Sequence, residues 1–137
     1  MPKADPPLAE NPKQIRLTKA RNSKQSDLEE RTFNFAKNVR AFVKKVKKTL
    51  SNIEDCKQLI RSSGSVGSNY IEANEALGKK DFIMHIKICR KEAEESQYWS
   101  QLIGSEGSSE IEAEKGILIR EAKELTSIFG SIVQKSK

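Results

Sequence analysis

One histidine, His85, and two cysteines, Cys56 and Cys89, are all that this chain of 137 residues has for imidazole or thiol chemistry. His85 belongs to no Glu-x-x-His pair, and a di-iron bundle needs two such pairs. It lies beside an apolar stripe through Phe82 and Cys89, the setting of a half-buried structural histidine. Two cysteines alone make neither a disulfide scaffold nor a zinc site, and on apolar faces they act as small hydrophobes. Ser63 and Ser65 lack the Gly-x-Ser-x-Gly pattern of a nucleophile elbow. Gly64-Ser65-Val66-Gly67 lacks the Gly-Lys-Ser/Thr ending of a phosphate loop and the third glycine of a dinucleotide fingerprint. The expectation is therefore no catalytic residue, no metal, no cofactor and no enzyme.

Charge offers more. The net charge is +6, with +4 over residues 1–26, −1 at Asp27, +5 over 28–80 and −2 over 81–137. A polyanionic partner is steered to the N-terminal two-thirds. Between Glu30 and Glu54 there are seven basic residues and no acidic one. Lys37, Arg40, Lys44 and Lys47 step by three, four and three, so they share a helical face, with Lys45 and Lys48 beside it. Arg61, Lys79 and Lys80 extend the patch if the first two helices are neighbours. Such a face contacts phosphates and releases counterions, giving salt-sensitive, sequence-tolerant binding of RNA or DNA. The plainer reading is a solvated outer face whose cations favour the helix dipole. No aromatic residue interleaves the stripe, so base stacking is not indicated.

These residues must be carried by helices. The chain is 36% hydrophobic, 32% charged and only 6% aromatic, which is poor in the chemistry of an all-β fold. No apolar run reaches the ~20 residues of a membrane helix. Met1 to Glu10 has no apolar signal-peptide core, so the expected compartment is cytoplasmic. All four prolines fall within residues 1–26, which read as a flexible basic tail: either an arm that folds on a partner or a plain leader. Residues 27–137 read as one domain of four helices, over about 28–48, 53–77, 80–103 and 110–134. Capping boxes at Ser26, Ser51 and Ser109 open the first, second and fourth. The inward stripes are Leu28, Phe35, Val39, Phe42, Val46 and Leu50; Cys56, Leu59, Ser63, Val66, Tyr70, Ala73 and Leu77; Phe82, Ile86, Cys89, Ala93, Ser96, Trp99 and Ile103; Ile111, Leu118, Ala122, Leu125, Phe129 and Ile132. Residues 62–68 favour a loop by local propensity, since each helical glycine costs roughly 1 kcal/mol. The apolar phase nevertheless runs through them from Leu59 to Tyr70, which predicts one helix ended by Gly78 as a left-handed cap. Residues 104–108 read as a flexible connector. The fold class is all-α, an antiparallel up-down four-helix bundle. Phe33, Ile71, Ile117 and Val133 lie off the seams, and some of them are candidates for burial between protomers.

Two blocks also carry a family resemblance. Gln58-Leu59-Ile60-Arg61-Ser62-Ser63-Gly64-Ser65-Val66-Gly67-Ser68-Asn69-Tyr70-Ile71-Glu72-Ala73, and Lys80-Asp81-Phe82-Ile83 followed by Glu92-Ala93-Glu94-Glu95-Ser96-Gln97-Tyr98-Trp99, resemble the signature of the 23S rRNA intervening-sequence proteins. Arg31-Thr32-Phe33-Asn34-Phe35-Ala36 fits the family's opening. The resemblance covers residues 28 to about 134; Ser68 departs from the family's usual alanine. It implies a four-helix bundle that assembles as a homopentameric ring. It also implies, for a related branch, the accessory protein of diversity-generating retroelements, which binds nucleic acid and a reverse transcriptase. By the same resemblance Arg61, Ser65, Gly67, Asn69, Glu72, Glu95, Tyr98 and Trp99 serve helix packing or subunit contact. A protein-assembly scaffold with no nucleic-acid role is the alternative.

Overall fold

Apolar spacing of three and four residues becomes four helix faces. The computed structural model describes residues 12–137, with side chains for residue 25 and residues 27–137. The helices are α1 (Pro12–Lys45), α2 (Leu50–Asn74), α3 (Lys79–Leu102) and α4 (Ser109–Ser136). Each packs on its chain neighbours, and α4 closes against α1, while across the α2–α4 diagonal the Tyr70 and Phe129 rings meet with centroids 5.8 Å apart. Arg31 reaches Glu121 while Lys45 reaches Glu114, so α1 and α4 run antiparallel. The result is the up-down bundle. Among the described residues no helix is long and apolar enough to cross a membrane, and no cluster of three His, Cys, Asp or Glu is arranged to hold a metal.

The second helix is continuous through its glycines. Close packing explains why the loop-forming residues stay helical. A methyl group added to Gly67 would lie 3.1 Å from Thr32 Oγ1, so α1 rests against the bare backbone there. On the other side, Ser62 and Ser96 share a buried hydrogen bond of 2.9 Å, and the Cys89 thiol donates to the Val66 carbonyl at 3.4 Å. Small, internally paired side chains let three helices approach at a cost in local propensity that burial offsets.

The helix ends differ from those read in the sequence. A Ser26 capping box starts nothing, because α1 already runs from Pro12, where a proline suits the first helical position. The expected tail is thus helical from Pro12, and residues 1–11 lie outside the described residues. Thr49, not Ser51, caps α2 by accepting from the Asn52 N–H at 3.2 Å. Ser108, not Ser109, caps α4 through the Ile111 N–H at 3.2 Å. Runs of Ser, Thr and Asn offer several caps, and the turn geometry selects one. Gly78 is extended (φ −146°) and precedes α3 rather than closing α2 with a left-handed turn. Instead Glu75 N–H reaches the Ile71 and Glu72 carbonyls and Ala76 N–H reaches Ala73, a tightened last turn.

Among the described residues, eighteen buried apolar side chains form the core, from Phe35 on α1 to Val133 on α4. Leu50 and Leu77, assigned to seams, are outside it, because α1 ends at Lys45 and α2 at Asn74. Val133 is buried within its own chain, so it is not available between protomers. The connector after α3 is held in place: Asn52 is 2% exposed, accepts from Gly104 N–H at 2.9 Å, and donates to the Lys47 and Gly104 carbonyls at 3.0 Å each. One amide joins the two connections at that end of the bundle.

Candidate nucleic-acid interface

The basic residues separate into paired and unpaired sets. Arg31 makes a two-point contact with Glu121 at 2.8 and 2.7 Å. Lys45 reaches Glu114 at 2.7 Å and Glu110 at 3.7 Å, and its pKa is raised, chiefly by the Glu114 hydrogen bond. Lys45 therefore belongs to the α4 side, away from the rest of the stripe. Arg61 bonds Glu92 at 3.0 Å and Glu95 at 2.8 Å; its charge joins α2 to α3 and does not extend the basic patch. Glu92 is buried, and burial raises its pKa ahead of the opposing pull of Arg61.

Lys37, Arg40, Lys44, Lys47 and Lys48 make no ion pair among the described residues. They do not form one helical stripe. α1 stops at Lys45, so Lys47 and Lys48 come from the connection, where backbone direction has changed. Packing of α1 on α2 places most of them along the same side nonetheless. Lys37 and Arg40 border one groove between α1 and α2, together with Phe33, Gly64, Gly67 and Ile71. Lys47 and Lys48 border a second, farther along, with Val43, Val46, Ile53, Cys56, Lys57 and Ile60. Lys44 stands exposed between them in sequence.

An aromatic ring does accompany the stripe. Phe33 is 62% exposed, and the Lys37 ammonium lies 5.7 Å from its centroid. The expectation that no aromatic residue accompanies the stripe is thus corrected: Phe33 and Lys37 are i, i+4 neighbours on α1.

Among the remaining signature residues, Gly67, Glu72 and Trp99 lie against a neighbouring helix or the core. Gly67 meets α1. Glu72 and Asp81 flank the His85 ring at 3.4 and 3.3 Å, and the buried Nδ1 on the Glu72 side makes no hydrogen bond among the described residues. Trp99 packs against the core and meets Tyr98 edge-on at 5.0 Å, whereas Tyr98 is 55% exposed. The Asn69 side-chain amide donates to the Ser65 main-chain carbonyl at 2.9 Å, a contact within α2.

Comparison with known proteins agrees with this architecture. A crystal structure from Bacteroides thetaiotaomicron, described as a protein with unknown function from the S23 ribosomal protein family, is similar at a TM-score of 0.64 and 26% identity. The match covers 77% of this chain and 96% of that one. No curated protein matches. The model of the 23S rRNA-intervening sequence protein family matches residues 24–130, spanning all four helices: this chain belongs to that family.

Proposed function

We propose that the protein is a non-enzymatic, self-associating helical bundle that binds RNA or DNA by its phosphates. One observation carries this reading: Arg31, Lys45 and Arg61 are neutralised within the bundle, while five cations bordering α1 and its connection to α2 have no carboxylate partner among the described residues. Unpaired cations left along one side cost folding energy through mutual repulsion, which a polyanion would relieve. Backbone contacts hold a strand without reading its sequence, which suits an accessory to a nucleic-acid-processing enzyme such as the reverse transcriptase that the resemblance implies. The five-membered ring would repeat the face and convert weak contacts into avidity.

The test is a salt titration of RNA binding with the Lys44→Glu/Lys47→Glu double variant. Affinity should fall alike for all sequences, and the slope of log affinity against log salt should drop by about two. Lys45→Ala, which removes a cation already paired, serves as the control. Unchanged affinity in the double variant overturns the reading and leaves the scaffold alternative, for which light scattering would show an assembly free of nucleic acid.

A further inference from the structure

The groove between Phe33 and Arg40 has a composition that phosphate binding alone does not require. Its α1 wall presents Phe33, Lys37 and Arg40, and its α2 wall presents Gly64, Gly67 and Ile71. The volume is about 570 Å³, within the range of small-molecule sites. Phe33 and Ile71 are 62% and 52% exposed, so large apolar surface faces water here. A single exposed phenylalanine is unremarkable. This one stands at the mouth of a cleft whose α2 wall carries no side chain at Gly64, with cations on the same rim. Arg40 donates to the Ala36 carbonyl at 3.0 Å, and its Nη2 would lie 3.3 Å from a methyl group on Gly64. That places the guanidinium across the cleft at the far end from Phe33. At the near end the Glu29 carboxylate also lines the groove, and it accepts from the Asn74 amide at 2.9 Å.

Resting on the phosphate reading above, we infer that this groove takes the unstacked bases of a single-stranded nucleic acid. A base lies on the Phe33 ring and against Ile71, while Lys37 and Arg40 hold the flanking phosphates. Every base has a π-face, so stacking adds affinity without sequence preference. Lys37 already lies over the ring; its flexible stem lets the ammonium move to a phosphate when a base displaces it. A duplex presents phosphates to the same cations, but its bases are stacked on one another and cannot enter. Glu29 repels phosphate and marks one end of the track. The expected signature is discrimination by strandedness and by the presence of bases, superimposed on the salt-dependent term.

Fluorescence anisotropy separates the two layers. The probes are an oligothymidine strand of about 20 nucleotides, an abasic strand of the same length and the matching duplex. The unmodified protein should bind the thymidine strand at least about fivefold tighter than the abasic one. Phe33→Ala should lower thymidine-strand affinity to the abasic level, with the salt slope and duplex affinity unchanged; Phe33→Trp should restore it. A thermal melt confirms that the variants fold, as the exposed position of Phe33 leads one to expect. Equal binding of thymidine and abasic strands by the unmodified protein, or no effect of Phe33→Ala, overturns the stacking inference and leaves the phosphate reading intact. Absence of binding to all three probes overturns both.

Discussion

Between α2 and α3, small side chains and paired polar groups close the seam, whereas α1 is flanked by open grooves. Ser62, Cys89, Ala93 and Ser96 are all fully buried, and their hydroxyl and thiol groups find partners within the seam. On the other flank of α1, against α4, a groove of about 710 Å³ lies over Phe35, Phe42 and Leu118, with Arg31–Glu121 and Lys45–Glu114 spanning it. Two helices thus form a rigid pair, and the helix that bears most of the candidate binding residues is the one least enclosed. Rigidity and accessibility are assigned to different parts of one small bundle.

Thiol labelling tests that division most sharply. Cys89 is fully buried, and burial pushes its thiol up to about 12. Cys56 is half-buried in the groove between α1 and α2; burial is also the first cause of its raised pKa. Cys56 should react with a maleimide at least about 100-fold faster, through local openings, while Cys89 waits for wider unfolding. Equal rates would mean that the α2–α3 seam opens as readily as the flanks of α1.

Matched truncations come next. Leu59→Ala empties a site with no exposure, and should cost about 4 kcal/mol in denaturant unfolding. Leu118→Ala borders the groove at 5% exposure, where water and neighbours can fill the space, and should cost about 2–3 kcal/mol. Both should be measured at one protein concentration, because self-association would shift apparent stability. Equal costs would erase the distinction.

The bundle was legible because burial enforces helical phase: Val66 and Tyr70 keep the register of Leu59 across glycines that propensity alone assigns to a loop. Helix ends were poorly legible, since Thr49, Ser51 and Asn52 are each competent caps and only the turn shows which oxygen faces a free N–H. The clasp by Asn52 was beyond reach, because Gly104 is far away in sequence. At the candidate site the basic residues could be named, but their pairing could not: Lys44 and Lys45 are neighbours in sequence, and only Lys45 turns toward α4.

Two glycines sharpen the comparison within the α1–α2 contact. Gly67→Ala should cost about 1–3 kcal/mol, because the new methyl meets Thr32, itself 1% exposed and unable to withdraw. Gly64→Ala meets only the end of the mobile Arg40 side chain, so the gain in helix propensity should leave stability unchanged or up to about 1 kcal/mol higher. Thermal melts of the two variants suffice; the reverse order would place the close approach elsewhere.

The smallest effects distinguish the ion pairs. Arg31→Ala removes a part-buried two-point contact at the edge of the α1–α4 groove and should cost about 1 kcal/mol, less at high salt. Arg61→Ala should cost about 1–2 kcal/mol at neutral pH, because it leaves the buried Glu92 carboxylate without its cation. The pH dependence fixes the cause. Burial already raises the Glu92 pKa above its unfolded value, and loss of Arg61 raises it further. A raised carboxyl pKa means that the folded state holds the proton more tightly, so the destabilisation is complete above the folded pKa. It fades as the pH falls toward the ordinary carboxylate range and Glu92 becomes neutral. The cost of Arg31→Ala should lack this Glu92-linked recovery. If Arg61→Ala were equally costly at pH 4 and pH 8, a lost packing contact of the arginine stem, rather than an orphaned charge between α2 and α3, would account for it.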